Sequence, residues 1–259
     1  MAKKFNEGKQ SKTKQNKAKQ KIIIESLTDS IFRFLNDPNQ ENPEVLQSLL
    51  QYQQIDINQR DSNGRTIFWI ACKNGHIEIV KLLLNQQMIA LNTATGDGKT
   101  PFFIACGEGD IEIVKLLLND KRINIHQADY QNQTPLWIAC QNGHVEIVRL
   151  LLNDDGVNIN QVDRDEGKTP FSIACGKGYV EIVKLFLNDY RVEINRANNS
   201  SETPLFVACN NGHTEIVKLL LNDEKVNRKN SNSSVSFLNI LLNARDANEV
   251  VEFIKIIDD

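Results

Sequence analysis

The chain has 259 residues, 41% of them hydrophobic and 24% charged, ordinary proportions for a chain that folds around an apolar core. No run of eighteen or more apolar residues occurs, and the first residues lack the apolar stretch of a secretory signal. Neither membrane insertion nor secretion by that route is therefore expected, and the expected location is cytoplasmic and/or nuclear.

The formal net charge of −3 is unevenly spread: residues 1–21 hold eight lysines against one glutamate, net +7, which leaves −10 for the rest. Such a lysine-rich segment cannot bury enough surface to offset its chain entropy, so 1–21 is expected to be a disordered tail. Lys3-Lys4 together with Lys17, Lys19 and Lys21 loosely imitates a bipartite import signal. The tail is also the only segment where contact with nucleic acid is expected, and a merely solvated tail is the plain alternative.

Folding is expected to begin near Ile22. Residues 22–57 contain two amphipathic stretches, Ile24 to Leu35 and Pro43 to Leu50, that suit an N-terminal capping unit with a polar outer face. From there to residue 227 the chain repeats itself. The pattern Thr-Pro-aromatic/Leu-x-Ile-Ala-Cys-x-x-Gly-x-x-Glu-Ile-Val-Lys-Leu-Leu-Leu-Asn recurs from Thr66, Thr100, Thr134, Thr169 and Thr203, at steps of 34, 34, 35 and 34 residues.

Thr followed by Pro puts a capping hydroxyl at the N-cap and a residue without an N–H at the first helical position, so a helix is predicted to start at each. The glycine nine residues on (Gly75, Gly109, Gly143, Gly178, Gly212) predicts a left-handed stop. A second helix follows, with Glu in its first turn, Lys or Arg later, and an apolar stripe, in the first repeat Ile79, Val80, Leu82 and Leu83. Helices this short persist only by stacking on neighbours. The Asn-, Asp- and Gly-rich connections predict turns projecting from the stack. Glu44, Glu78, Glu112, Glu146, Glu181, Glu215 and Glu249 keep one phase, which extends the count to seven units, the last a capping unit over residues 228–259.

These residues resemble the ankyrin repeat, whose Gly-x-Thr-Pro-Leu-His, Ala-Ala, Gly-His and Ile-Val-x-x-Leu-Leu pattern is matched at five registers. The resemblance implies an all-α fold, an ankyrin-repeat solenoid of stacked antiparallel helix pairs with projecting β-turn/hairpin fingers, over a single domain from 22 to 259. Two departures stand out. Thr-Pro becomes Thr66-Ile67, and the family's histidine three residues after Thr is Trp69, Phe103, Trp137, Ser172 and Phe206. Stacking aligns those rings along one edge, where they serve either as anchors for a partner or as packing between units.

Motifs that imitate chemistry dissolve into the repeat. The five cysteines, Cys72, Cys106, Cys140, Cys175 and Cys209, share one phase and are read as small core residues. Neighbouring helices pack about 10 Å apart, too far for a disulfide. Gly96-Asp97-Gly98-Lys99-Thr100 imitates the end of a phosphate-binding loop, but Thr93 stands where that loop needs glycine, and Gly167-Lys168-Thr169 repeats the string in phase. No catalytic residue, cofactor or metal is expected.

The resemblance implies a non-catalytic module, expected to be monomeric, that binds a protein partner along the concave groove of fingers and inner helices. The residues it points to are Arg65, Trp69, Lys73, Lys99, Phe103, Glu108, Tyr130, Gln133, Trp137, Gln141, Asp165, Lys168, Lys177, Glu202, Phe206 and Asn210. An alternative is a nuclear regulatory protein whose basic tail contacts nucleic acid or import machinery. An acidic body favours a basic or mixed-charge partner.

Overall fold

The computed structural model describes residues 27–37, 43–50 and 55–227. The lysine-rich tail, residues 22–26 and the C-terminal unit with Glu249 lie outside the described residues. Those described fall into two compact units, one ending at Gly96 and one beginning at Asp97.

The first unit holds α1 (27–35), α2 (Pro43–Leu50), α3 (Ile67–Lys73) and α4 (Ile77–Leu84). The second holds four helix pairs: α5 (Pro101–Glu108) with α6 (Ile111–Leu118), α7 (Pro135–Asn142) with α8 (Val145–Leu152), α9 (Pro170–Lys177) with α10 (Val180–Leu187), and α11 (Pro204–Asn210) with α12 (Thr214–Leu221).

Local chemistry sets the helix ends. Each repeat threonine is the N-cap of its first helix, and its Oγ1 accepts the backbone N–H three residues on, that of Trp69, Phe103, Trp137, Ser172 or Phe206, at 3.0 to 3.3 Å. The cap does not depend on the proline, since Thr66 makes the same bond with Ile67 following. At Gly109, Gly143 and Gly178 the chain turns left-handed and stops the helix, with φ between 80° and 88°, a region glycine enters without a Cβ penalty.

In the second unit the first helices pack in one row, α5 on α7, α7 on α9 and α9 on α11, and the second helices in another, α6 on α8, α8 on α10 and α10 on α12. Between the rows lies a core of one composition. Every Ala-Cys pair of the first helices is fully buried, as are the Ile-Val pair of each second helix and the apolar residue three positions after that Val (Leu117, Leu151, Phe186, Leu220). The expected stripe is therefore shifted: Leu82 and its equivalents Leu116, Leu150, Leu185 and Leu219 are half-buried, because a helix of two turns turns only one narrow face to the core.

Polar side chains close the seams. The Gly107 carbonyl, left over at the end of α5, accepts from Asn142 Nδ2 (2.7 Å) and His144 Nε2 (2.9 Å). Gly176 at the end of α9 is served likewise by Asn211 (2.8 Å) and His213 (2.9 Å). These bonds satisfy helix-end carbonyls that have no partner inside their own helix. In the first unit Asn74 and His76 make the same pair onto the Leu35 carbonyl of α1, so residues 27–35 behave as the first half of a repeat.

The fingers differ from hairpins. Apart from one isolated bridge, Arg60 with Thr66, no strand pairing occurs in them among the described residues. An Asx side chain, Asp61, Asp129, Asp163 or Asn198, folds four of the five described fingers instead, and Thr95 stands at that position in the other. Asp129 Oδ1 takes the N–H of Gln131 and of Gln133, both at 3.0 Å. Asn198 Oδ1 takes those of Ser200 and Glu202, which consumes donors a hairpin ladder would need. Successive fingers are then tied backbone to backbone: Tyr130 N–H to the Asp97 carbonyl (3.0 Å), Arg164 to Gln131 (2.8 Å) and Asn199 to Glu166 (2.8 Å).

Candidate protein-binding groove

In the first unit, Arg65, Trp69 and Lys73 form a cluster on α3 and its finger. Trp69 is buried, with the Arg65 guanidinium carbon 5.8 Å and the Lys73 ammonium 5.7 Å from its ring centroid. Arg65 also grips the Asp61 carboxylate at 2.7 Å. Lys73 lies one helical turn after the tryptophan, and Arg65 reaches it from the finger just before the threonine cap.

In the second unit a groove of about 430 Å³ runs along the fingers and first helices of the third to fifth repeats. Six of the residues expected from the sequence line it: Gln133, Trp137, Gln141, Asp165, Lys168 and Lys177. Lys168 pairs with Glu166 across the finger. Trp137 donates from Nε1 to the Lys168 carbonyl at 3.2 Å, which fixes the indole plane along the groove wall. The side chains of Gln133, Gln141, Asp165 and Lys177 make no hydrogen bond or ion pair with the described residues.

The other expected residues sit elsewhere. Lys99 pairs with Asp97 at 2.8 Å, Glu202 accepts from Asn198 Nδ2 at 2.7 Å, Glu108 and Asn210 are exposed, and Tyr130 is 63% exposed at a finger tip. The ring of Phe103 is only 1% exposed, and Phe206 is half-buried. Burial places Phe103 in the interior and leaves Trp69 and Trp137 with only an edge at the surface. The aligned rings are thus mostly a packing seam, with Trp137 the one that also lines the groove.

Sequence reasoning left Asp163, Ser172, Ile173 and Val207 out of the site, and all of them line the groove. The signal for one was present: Ser172 is the single break in a row of aromatic residues. Its hydroxyl is buried without a hydrogen-bond partner.

The cysteines hold no chemistry of this kind. All five are buried, and none forms a disulfide. Burial drives the Cys140 thiol well above its ordinary value and pushes that of Cys209 up to about 12, so neither supplies a thiolate near neutral pH. Among the described residues no group of three or more His, Cys, Asp or Glu converges as a metal site, and no helix is long and apolar enough to cross a membrane. The Gly-Lys-Thr strings are finger and cap: Thr100 and Thr169 cap α5 and α9, and the lysines pair with acidic residues two positions back.

Stacked two-helix units, threonine-capped, glycine-stopped and joined by projecting turns, define a repeat protein of the solenoid class. The family described as ankyrin repeats (3 copies) matches in overlapping windows over residues 38–129, 87–163, 121–198, 156–232 and 190–253, and the chain belongs to the ankyrin-repeat family. No curated protein matches the chain. Ankyrin repeats are in general protein–protein interaction modules, and the family is typically non-catalytic.

Proposed function

We propose that the chain holds a protein partner along the groove formed by the fingers and first helices of the third to fifth repeats. The observation that carries this reading is where the repeats stop being alike. Under the groove the Ala-Cys and Ile-Val pairs are invariant from repeat to repeat. Along the fingers and first helices the equivalent positions read Gln133, Lys168 and Glu202, then Gln141, Gly176 and Asn210, and all of these except Glu202 and Asn210 line the groove. Invariant positions are accounted for by packing, whereas positions that vary, with Gln133 and Gln141 keeping unused side-chain hydrogen-bonding groups, suit recognition of one particular surface.

The test is affinity purification of the tagged full chain beside a variant carrying Asp165→Lys, Glu166→Lys and Lys177→Glu, followed by mass spectrometry. A protein retained by the native chain and lost from the variant is the expected result. Identical protein sets from both chains would remove the groove from the account.

A further inference from the structure

We propose that the groove takes a lysine or arginine side chain of the partner against the indole of Trp137, in the place the protein fills with its own cations at Trp69. This rests on the reading that the groove binds a protein, and it specifies the chemistry of what enters.

The first repeat shows what such an indole accepts. Arg65 and Lys73 bring their charges to 5.8 and 5.7 Å from the Trp69 ring centroid, within the roughly 6 Å at which a cation is attracted to the ring face. Trp137 occupies the same phase, under the same threonine cap. The two flanking positions are now Gln133 and Gln141, neutral amides, and among the described residues no cation lies over its ring.

The following repeat makes room beside it. Ser172 stands where the other repeats have an aromatic ring, and Gly176 where the first and third have Lys73 and Gln141; both residues line the groove next to Trp137. Gly176 is small for packing as well, since a Cβ there would meet Val207 at 2.8 Å. Ser172 has no such constraint to offer: it is 2% exposed, and its Oγ lacks any partner. A buried hydroxyl left unmade is costly, and a hydroxyl oxygen accepts from an ammonium or guanidinium.

Charge points the same way. Three carboxylates, Asp163, Asp165 and Glu166, face two lysines, Lys168 and Lys177, along the groove. Lys168 is engaged by Glu166, and Asp163 by the backbone N–H of Lys168 at 2.6 Å. Asp165 stays exposed with its carboxylate unpaired, ready to meet an incoming cation, and Lys177 is the one free charge that opposes it.

The experiment probes an array of short random-sequence peptides with the full chain, then titrates the best binders by fluorescence anisotropy against the chain and two variants. Gln133→Arg with Gln141→Lys installs the side chains that the first repeat already carries, so the fold has precedent for them. Ser172→Ala removes only the hydroxyl. Thermal melts by circular dichroism check that both fold.

The binders are expected to share a lysine or arginine at one position. Its replacement by glutamine, and separately the double substitution, should each weaken binding about tenfold. Ser172→Ala should weaken it less, and only for peptides that retain the basic residue. Binders that lack a basic residue yet lose affinity on the double substitution would overturn the cation assignment and leave the groove standing. Binders indifferent to every groove substitution, or none at all, would overturn both.

Discussion

In the second unit the helical layer and the finger layer repeat with the same period but are held by different forces. The helices meet mainly through Ala, Cys, Ile, Val, Leu and Phe side chains, and burial of that shared face dominates their stability. The fingers bury little. They are held by side chains that bond backbone: Asp129 and Asn198 within a finger, and Asn160, which spans to the next repeat by donating to the Arg191 carbonyl (2.8 Å) and accepting from the Glu193 N–H (2.9 Å). A layer held by burial must keep its residues alike, since each fills space for two neighbours. A layer held by local hydrogen bonds leaves the side chains between them free to vary, and that is the layer where recognition is proposed.

Substitutions in the two layers should therefore differ in size and in reach. The largest loss is expected from Leu151→Ala in α8, a side chain 1% exposed between two helix rows, at about 2 to 5 kcal/mol in denaturant unfolding. Leu150→Ala, one residue away and half-buried, should cost clearly less. Equal costs would mean that the core face is not the one described. Asn160→Ala removes two inter-repeat bonds at a half-buried site and should cost about 1 to 2 kcal/mol. Its reach should be local: the Glu193 amide should exchange faster with deuterium while those of α7 stay protected. Thr134→Ala takes away one helix cap, for about 1 kcal/mol, and a loss below about 0.3 kcal/mol would show that tertiary packing alone holds the start of α7.

The helical layer was largely legible in the sequence because its signals are local and redundant. Threonine caps, glycine stops and the in-phase glutamates from Glu44 to Glu215 each mark an element found among the described residues. Leu150 shows where legibility ended: an eight-residue apolar helix offers several candidate stripes, and only the position of the neighbouring helices selects Leu151 over it. The fingers were legible as turns but not as to kind, because a hairpin and an Asx-folded turn draw on the same Asn, Asp and Gly. For the groove, Gln133, Gln141 and Asp165 were readable as variable positions. Ser172 was noticed as an exception without its consequence, since a missing ring becomes a hollow only once the rings beside it are in place.

The smallest effect lies within the connecting layer and turns on sign. Hydrogen bonding from Arg191 lowers the carboxyl of Asp189 below its ordinary value of 3.8. Asp189 thus contributes stability above that value and loses it as pH falls through its lowered one. It also holds Arg191 where the guanidinium bonds the Leu152 carbonyl at 2.7 Å, at the end of α8. Asp129 behaves oppositely. Burial raises its carboxyl above 3.8 against the pull of its two backbone donors, so its ionisation withdraws stability as pH rises from 3.8 through the raised value, and the cost persists at neutral pH. The fifth repeat offers the remedy, since Asn198 accepts the same two N–H groups without a charge. Asp129→Asn should therefore leave stability at pH 7 unchanged or raised within about 0.5 kcal/mol, and should flatten its pH dependence just above 3.8. Asp189→Asn should lower stability at pH 7 and flatten the dependence below 3.8. A loss of more than about 1 kcal/mol at pH 7 from Asp129→Asn would mean that the finger needs the negative charge itself, for which the attraction of Lys99 to Asp129 is the candidate cause.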